Sequence, residues 1–205
     1  MGQNVYKKLA KRFDAIPNGF PETESGVELK LLAKIYTPEE AALASDMRLT
    51  PESAEQISQR TNRDPAKTAQ LLQQMAIKGQ ILAIKQGDQY KFSLMQFAMG
   101  GVYDFQLARL DEEFAELFEE YYPIFAKRLL GPSPSIFKVI PVEKSIPYEV
   151  HVFPYEQASA YLNNAKSFGV RECICKKQKK TSGQTMQIPS RSVHGLCPSR
   201  RSFQQ

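Results

Sequence analysis

Hydrophobic positions recur at helical spacing over most of the first 130 residues. Val5, Leu9, Phe13 and Ile16 share one face of an amphipathic segment whose opposite face carries lysine and arginine. A basic amphipathic helix could lie on a membrane surface, but packing against the body of the protein is the commoner use of such a face. We therefore expect an N-terminal helix that docks on the protein and ends at the PNGFP sequence at 17–21.

A set of short helices and a hairpin follows. Apolar spacing and start signals mark four helices: one over 27–36, one opened by the capping box Thr37-Pro38-Glu39-Glu40, one opened in the same way by Thr50-Pro51-Glu52 and ended near Thr61-Asn62, and one capped by Asp64-Pro65 and ended at Gly79. Two strands, 81–84 and 90–94, then pair across a turn containing Gly87 and Asp88. Two short helices joined by about four residues and followed by a hairpin are typical of a winged helix-turn-helix.

The second half of the chain predicts one long helix and a small α+β segment. The long helix spans 102–130, broken or kinked at Pro123, and its acidic outer face is interpreted as solvated, because no histidine interleaves with the carboxylates. After a linker at 131–134 we expect strands at 136–142 and 149–153, a helix at 154–167 and an extended segment at 170–175.

These elements define an α+β fold, mainly α. The predicted units are the N-terminal helix and linker (1–24), the winged helix-turn-helix (25–97), the acidic-faced helical segment (98–131), an α+β segment that ends in a Cys-x-Cys motif (132–180), and a disordered tail (181–205).

The charge is distributed unevenly along the chain. The net charge is +5, but residues 1–170 hold 19 Lys and Arg against 21 Asp and Glu, whereas residues 171–205 hold 8 against 1. The expected folded part therefore has no basic surplus to offer to a phosphate backbone. No apolar stretch is long enough for a membrane span and no signal peptide opens the chain, so we expect a cytoplasmic protein without a membrane partner.

A helix-turn-helix raises the possibility of DNA binding. The outward positions of its second helix would carry glutamines suited to adenine edges and lysines suited to phosphates, and the hairpin adds two more lysines. The candidate contacts are Arg63, Lys67, Gln70, Gln74, Lys78, Lys85 and Lys91. These cations are few for a tight DNA binder, and packing or protein contact is the competing interpretation.

Cys173 and Cys175 are the sharpest chemical feature. On one extended segment their side chains would point to the same side and could share a metal, and the lysines that follow would favour thiolate. They supply half of a tetrahedral thiolate set, and Cys197 is a poor third ligand. His151 and His194 are isolated, and no phosphate-binding loop, nucleophile elbow or HExxH motif predicts an enzyme.

Four passages resemble bacterial 4Fe-4S ferredoxin-type proteins that place a winged helix ahead of cysteine-rich motifs. They are PNGFP at 17–21, TESGVEL at 23–29, YTPEEA at 36–41 and VRECICK at 170–176, within a region of similarity from about 16 to 180. The resemblance implies electron transfer or redox sensing through a 4Fe-4S cluster, with Cys173 and Cys175 as ligands and a redox protein or cluster domain as partner. In that family a Cys-x6-Cys pair follows, and this chain departs from the pattern after Lys180.

The composition of 181–205 suggests translation out of frame. This segment has no acidic residue and almost no large apolar residue. Met186-Gln187 must be encoded ATG-CAR, so a shift of one base forces a cysteine codon, and Val193-His194 permits a second one seven positions later.

The hypothesis is a frameshifted or truncated relative that cannot hold a cluster alone. A winged-helix DNA-binding regulator and a plain interaction module are the alternatives, as is a genuine tail that binds anionic partners.

Overall fold

The computed structural model describes residues 2–131, 167–183 and 191–197, with side chains for 4–131 and 172–183. The helices are α1 (Gly2–Asp14), α2 (Val27–Ile35), α3 (Pro38–Asp46), α4 (Ala54–Thr61), α5 (Pro65–Ile77), α6 (Glu112–Leu130) and α7 (Ile174–Thr181). The strands are β1 (Glu52–Ser53), β2 (Leu82–Gln86), β3 (Gln89–Ser93), β4 (Ser167–Glu172) and β5 (Arg191–Cys197). The described chain is therefore α+β and mainly helical.

Three of the short helices, α3, α4 and α5, begin at a polar residue whose side chain caps the helix N-terminus. The Thr37 hydroxyl accepts from Glu40 N and the Glu40 carboxylate accepts from Thr37 N, which confirms the predicted capping box. Asp64 caps α5 as predicted. The helix predicted to start at Thr50 is α4, and it begins at Ala54 instead. Glu52 and Ser53 first pair with β3, and Ser53 then caps α4.

β1, β3 and β2 form a three-stranded antiparallel sheet in that order. The predicted hairpin is present, with Ala83 opposite Phe92 and Gln86 opposite Gln89. Phe92 also lies opposite Glu52 of β1, which makes β3 the central strand. The sheet thus ties the segment before α4 to the hairpin after α5.

An aromatic cluster forms the centre of the core. Tyr103 and Phe118 stack with ring centroids 3.8 Å apart, and Phe97 lies 4.4 Å from Phe20 and 6.0 Å from Phe13. Phe13 is 1% exposed, so α1 packs its apolar face on the body of the protein. This is the expected docking of the N-terminal helix.

The long helix starts later than its apolar spacing predicts. Two short 3-10 helices, Val102–Phe105 and Leu107–Arg109, occupy the first part of the predicted span, and Asp111 caps α6. The Gln106 amide donates to Val102 O and Gly79 O, which holds this segment in tight turns against the end of α5. α6 continues through Pro123, so of the predicted break or kink at this residue the break does not occur.

The predictions for the C-terminal part are only partly covered. The expected strands at 136–142 and 149–153, nearly all of the helix at 154–167, and His151 lie outside the described residues. Within the tail that was predicted to be disordered, Arg191–Cys197 instead forms β5, paired antiparallel with β4.

Candidate functional site

Cys173 and Cys175 lie at the N-terminus of α7. β4 ends at Glu172, Cys173 is the N-cap, and Cys175 is in the first helical turn, so the expectation that one extended segment carries both is wrong. The backbone turns helical at this point, since Lys177 N donates to Cys173 O at 3.0 Å. Both cysteines are free thiols two positions apart at the start of α7, Cys175 exposed and Cys173 partly exposed.

α7 is anchored to the body by one apolar and several polar contacts. Ile174 and Gln178 are each 3% exposed. The Tyr103 hydroxyl donates to Gln178 Oε1 at 2.6 Å, and Gln178 Nε2 donates to Glu119 Oε1 at 2.8 Å. Lys179 also pairs with Glu119 at 2.8 Å. These contacts orient the N-terminus of α7 and therefore the thiol pair.

The neighbouring charges do not favour the Cys175 thiolate. Although Cys175 reaches the surface, partial desolvation raises the pKa of its thiol, and the nearby Cys173 and Asp104 raise this pKa further. Lys177 donates to Leu107 O at 3.0 Å and Lys179 pairs with Glu119, so these two ammonium groups are engaged away from the thiols. The prediction that the following lysines favour the thiolate, and so lower the thiol pKa, is wrong for Cys175.

The described part of the chain contains no group of three or more Cys, His, Asp or Glu side chains that could hold a metal. The backbone of Cys197 pairs with Ser167, at the opposite end of β4 from Cys173. At about 3.3 Å per strand residue, some 20 Å separates these backbone positions. The two thiols therefore fit half of a four-thiolate site, and the described residues do not complete a 4Fe-4S cluster.

The candidate DNA contacts fall into two groups. Lys67, Gln70 and Gln74 are exposed on α5 as predicted. Arg63 pairs with Asp46 at 3.2 Å, however, and Lys78 pairs with Glu40 at 2.6 Å. Arg63 and Lys78 are thus engaged in ion pairs within the fold, although Arg63 shares Asp46 with Lys8.

The hairpin contributes two lysines in different environments. Lys85 is exposed, opposite Tyr90, whereas Lys91 is half-buried between Ser53 and Ile84 on the neighbouring strands. Lys67 and Lys85 are therefore the two exposed cations of the predicted DNA set, a small electrostatic footprint for a duplex.

Sequence reasoning missed an apolar groove between α5, the hairpin and the 3-10 segment. Its volume is about 460 Å³, and its lining includes Ala76, Gly79, Phe92 and Phe105. Ile77, also part of the lining, is 88% exposed. The signal for this groove in the sequence was Ile77, an apolar residue on the outward side of α5.

A buried polar network behind α5 was also missed. Gln80, fully buried, donates from Nε2 to Ile35 O at 2.5 Å and to Glu40 Oε2 at 2.9 Å, while the Tyr36 hydroxyl donates to Gln80 O. Burial opposes ionisation of Glu40, but the hydrogen bonds from Lys78, Thr37 and Gln80 outweigh it and hold the pKa of Glu40 below its usual value. This network joins α2, α3 and the end of α5.

The acidic face of α6 is only partly a solvated surface. Glu119 receives α7 through Gln178 and Lys179, and Glu113 pairs with Lys34 of α2. Ser25 donates to Glu120 at 2.8 Å. Several of these carboxylates therefore hold neighbouring elements.

None of the helices within the described ranges is long and apolar enough to cross a membrane. Comparison with known proteins found no match to a protein-family model, to a curated protein or to a solved structure.

Proposed function

We propose that this chain is a truncated or frameshifted relative of 4Fe-4S electron-transfer or redox-sensing proteins, in which Cys173 and Cys175 are two cluster ligands. The observation that supports this is a pair of free thiols, two positions apart, at the start of an anchored helix. A bound cluster would supply one-electron transfer. The missing thiolates must come from a partner, because the described residues provide two.

The chain's own residues orient the ligands and provide part of their electrostatics. Tyr103 and Glu119 fix α7 through Gln178, which sets the direction of its first turn. Cys173 is the N-cap of α7 and Cys175 is in its first turn, where the helix dipole favours negative charge and so opposes the desolvation that raises the pKa of Cys175. The proposed location is the cytoplasm, where cysteines remain reduced and available as ligands.

We propose in addition that residues 25–97 form a winged helix-turn-helix. The chain order α3, β1, α4, α5, β2, β3 and the sheet order β1-β3-β2 support this assignment. α4 and α5 would be the helix-turn-helix, and the β2–β3 hairpin the wing.

Protein docking is favoured over DNA reading as the role of this winged helix. Arg63 and Lys78 are in ion pairs, whereas Ile77 is 88% exposed on the same helix as Lys67. A redox protein or cluster domain is the proposed partner. An exposed isoleucine suits a protein surface better than a phosphate backbone.

Anaerobic reconstitution with iron and sulfide tests the cluster. We expect brown colour and visible absorbance that are lost in Cys173→Ser and Cys175→Ser when partner thiols are present, and kept in Cys197→Ser. A colourless protein in every reconstitution would overturn the proposal. Sequencing the DNA across codons 178–200 tests the frameshift, which fails if the shifted frame meets a stop codon before its second cysteine.

The DNA-binding alternative is tested by a gel shift with random duplex DNA. We expect no retardation even at low salt. Retardation that falls with salt, is weakened by Lys67→Ala and Lys85→Ala and is unchanged in Lys11→Ala would instead establish the regulator.

A further inference from the structure

The strand β2 lies at an edge of the three-stranded sheet, because the strand order is β1-β3-β2. Within the part of the chain that the structure describes, β3 is its one strand neighbour. Alternate residues of an antiparallel edge strand direct their N–H and C=O groups away from the neighbour, where another strand can pair with them. Four of the five residues of β2 are exposed, so this strand lies at the surface.

The apolar groove between α5, the hairpin and the 3-10 segment reaches this edge, since Leu82 and Ala83 of β2 line it. Ile77 and Tyr90 line it as well, and they are 88% and 51% exposed. Paired residues on neighbouring strands point their side chains to the same face of a sheet. A residue on an added strand opposite Ala83 would therefore face the groove, where an apolar side chain would contact its lining.

Lys85 gives the same face of β2 a positive charge. It lies two positions after Ala83 and opposite Tyr90, so its side chain shares the groove face. Lys85 is exposed and has no ion-pair partner among the described residues. A second copy of this chain would bring another lysine to the same edge, and edge lysines oppose such pairing. A strand with a carboxylate opposite Lys85 would instead be attracted.

We propose that β2 accepts an extended segment of a partner protein as a fourth strand of this sheet, with an apolar side chain in the groove beside Ala83 and a carboxylate at Lys85. Main-chain hydrogen bonds to the edge supply affinity in this mode of recognition, and the alternate side chains supply specificity. The inference rests on the proposed docking role of the winged helix and specifies how it docks. It does not depend on the iron-sulfur cluster.

A synthetic peptide with the core Thr-Glu-Val-Val-Thr serves as the probe. Paired antiparallel to β2, its glutamate lies opposite Lys85 and its second valine opposite Ala83. Titrating it into the isotope-labelled full chain should shift the amide resonances of β2 until they saturate. Ile77→Ser should weaken binding about tenfold, because the groove loses apolar lining. The same replacement on α6, Ile124→Ser, should leave binding unchanged.

A charge exchange tests the acidic part of the proposal. Lys85→Glu should weaken binding about fivefold, and a peptide with lysine in place of its glutamate should restore binding to this variant. Lys67→Ala should not change peptide binding, although it would weaken binding to DNA. Failure of strand addition and failure of the docking role are therefore seen in separate measurements, the peptide titration and the gel shift.

Three outcomes would contradict strand addition at β2. They are unchanged β2 resonances in a chain whose spectrum shows it to be folded, equal binding of the glutamate and lysine peptides to the wild type, and shifts confined to the groove without any at β2. Self-association of the chain that Ile77→Ser abolishes would assign this edge to a second copy instead of an acidic partner.

Discussion

Lys78 Nζ at the end of α5 donates a 2.6 Å hydrogen bond to the buried Glu40 carboxylate of α3, across 38 positions of sequence. Glu40 is 2% exposed, so its charge depends on this cation and on two further donors. The contact connects the start of α3 to the end of α5, and it engages the Lys78 ammonium within the fold although the side chain stays 38% exposed.

Replacing Lys78 should therefore destabilise the fold. We expect Lys78→Ala to lower the free energy of unfolding by about 2 kcal/mol, because a buried carboxylate loses a charged donor. Lys67→Ala, on the exposed face of the same helix, should change it by less than about 0.5 kcal/mol. Urea denaturation measures both, and equal effects would argue against the Glu40 contact.

The Glu40 network should make stability depend on acidic pH. The folded-state pKa of Glu40 lies below its unfolded value, so its ionisation stabilises the fold above the unfolded pKa of about 4.3, and this contribution is lost as pH falls through the folded pKa. The stability difference between wild type and Glu40→Gln should thus be largest near neutral pH and shrink below about pH 4. A difference that stays constant between pH 7 and pH 3 would contradict the assignment.

Gly79 should be far less replaceable than Gly87. Both have positive φ, +66° and +63°, but a Cβ on Gly79 would lie 2.4 Å from Phe105 Cβ, whereas one on Gly87 meets nothing within 4 Å. We expect Gly87→Ala to cost about 1 kcal/mol from its backbone conformation alone. Gly79→Ala should cost about 1–3 kcal/mol more through the clash. Thermal denaturation of the two variants compares them, and similar losses would disprove the close approach.

Removing the Tyr103 hydroxyl should loosen α7. Tyr103→Phe leaves the buried Gln178 Oε1 without its 2.6 Å donor, at a cost of about 1–3 kcal/mol. Tyr122→Phe is the matched control, since Tyr122 is 50% exposed. Guanidinium denaturation should detect the loss, and trypsin should cleave the lysines of α7 faster in Tyr103→Phe. Unchanged cleavage would mean that the hydroxyl does not anchor the helix.

Local signals predicted the elements well where side chain and backbone act within a few residues. The capping box at Thr37, the cap at Asp64 and the Gly87 hairpin depend on contacts three or four positions apart, so the sequence suffices for them. The start of α6 was misplaced because Gln106 binds carbonyls of Lys78 and Gly79, nearly thirty positions away. The start of α4 was misplaced because Glu52 pairs with Phe92.

At the candidate site, too, the sequence predicted the local features and missed those that depend on remote segments. The sequence identified Cys173 and Cys175 as neighbours, and adjacency is a local property of a Cys-x-Cys motif. The helical form of their segment, the raised pKa of Cys175 and the engagement of Lys177 and Lys179 all depend on α6 and the 3-10 segment. Local charge alone predicted the opposite pKa direction.

By itself the sequence determined the helical periodicity, the caps, the hairpin and the positions of the thiols, because these follow from residues in short range of one another. Only the tertiary structure decided which charges are available. Arg63 and Lys78 look free in the sequence, yet Asp46 and Glu40 reach them across the fold. Ion pairing and desolvation depend on distances between remote segments, and chain folding alone sets those distances.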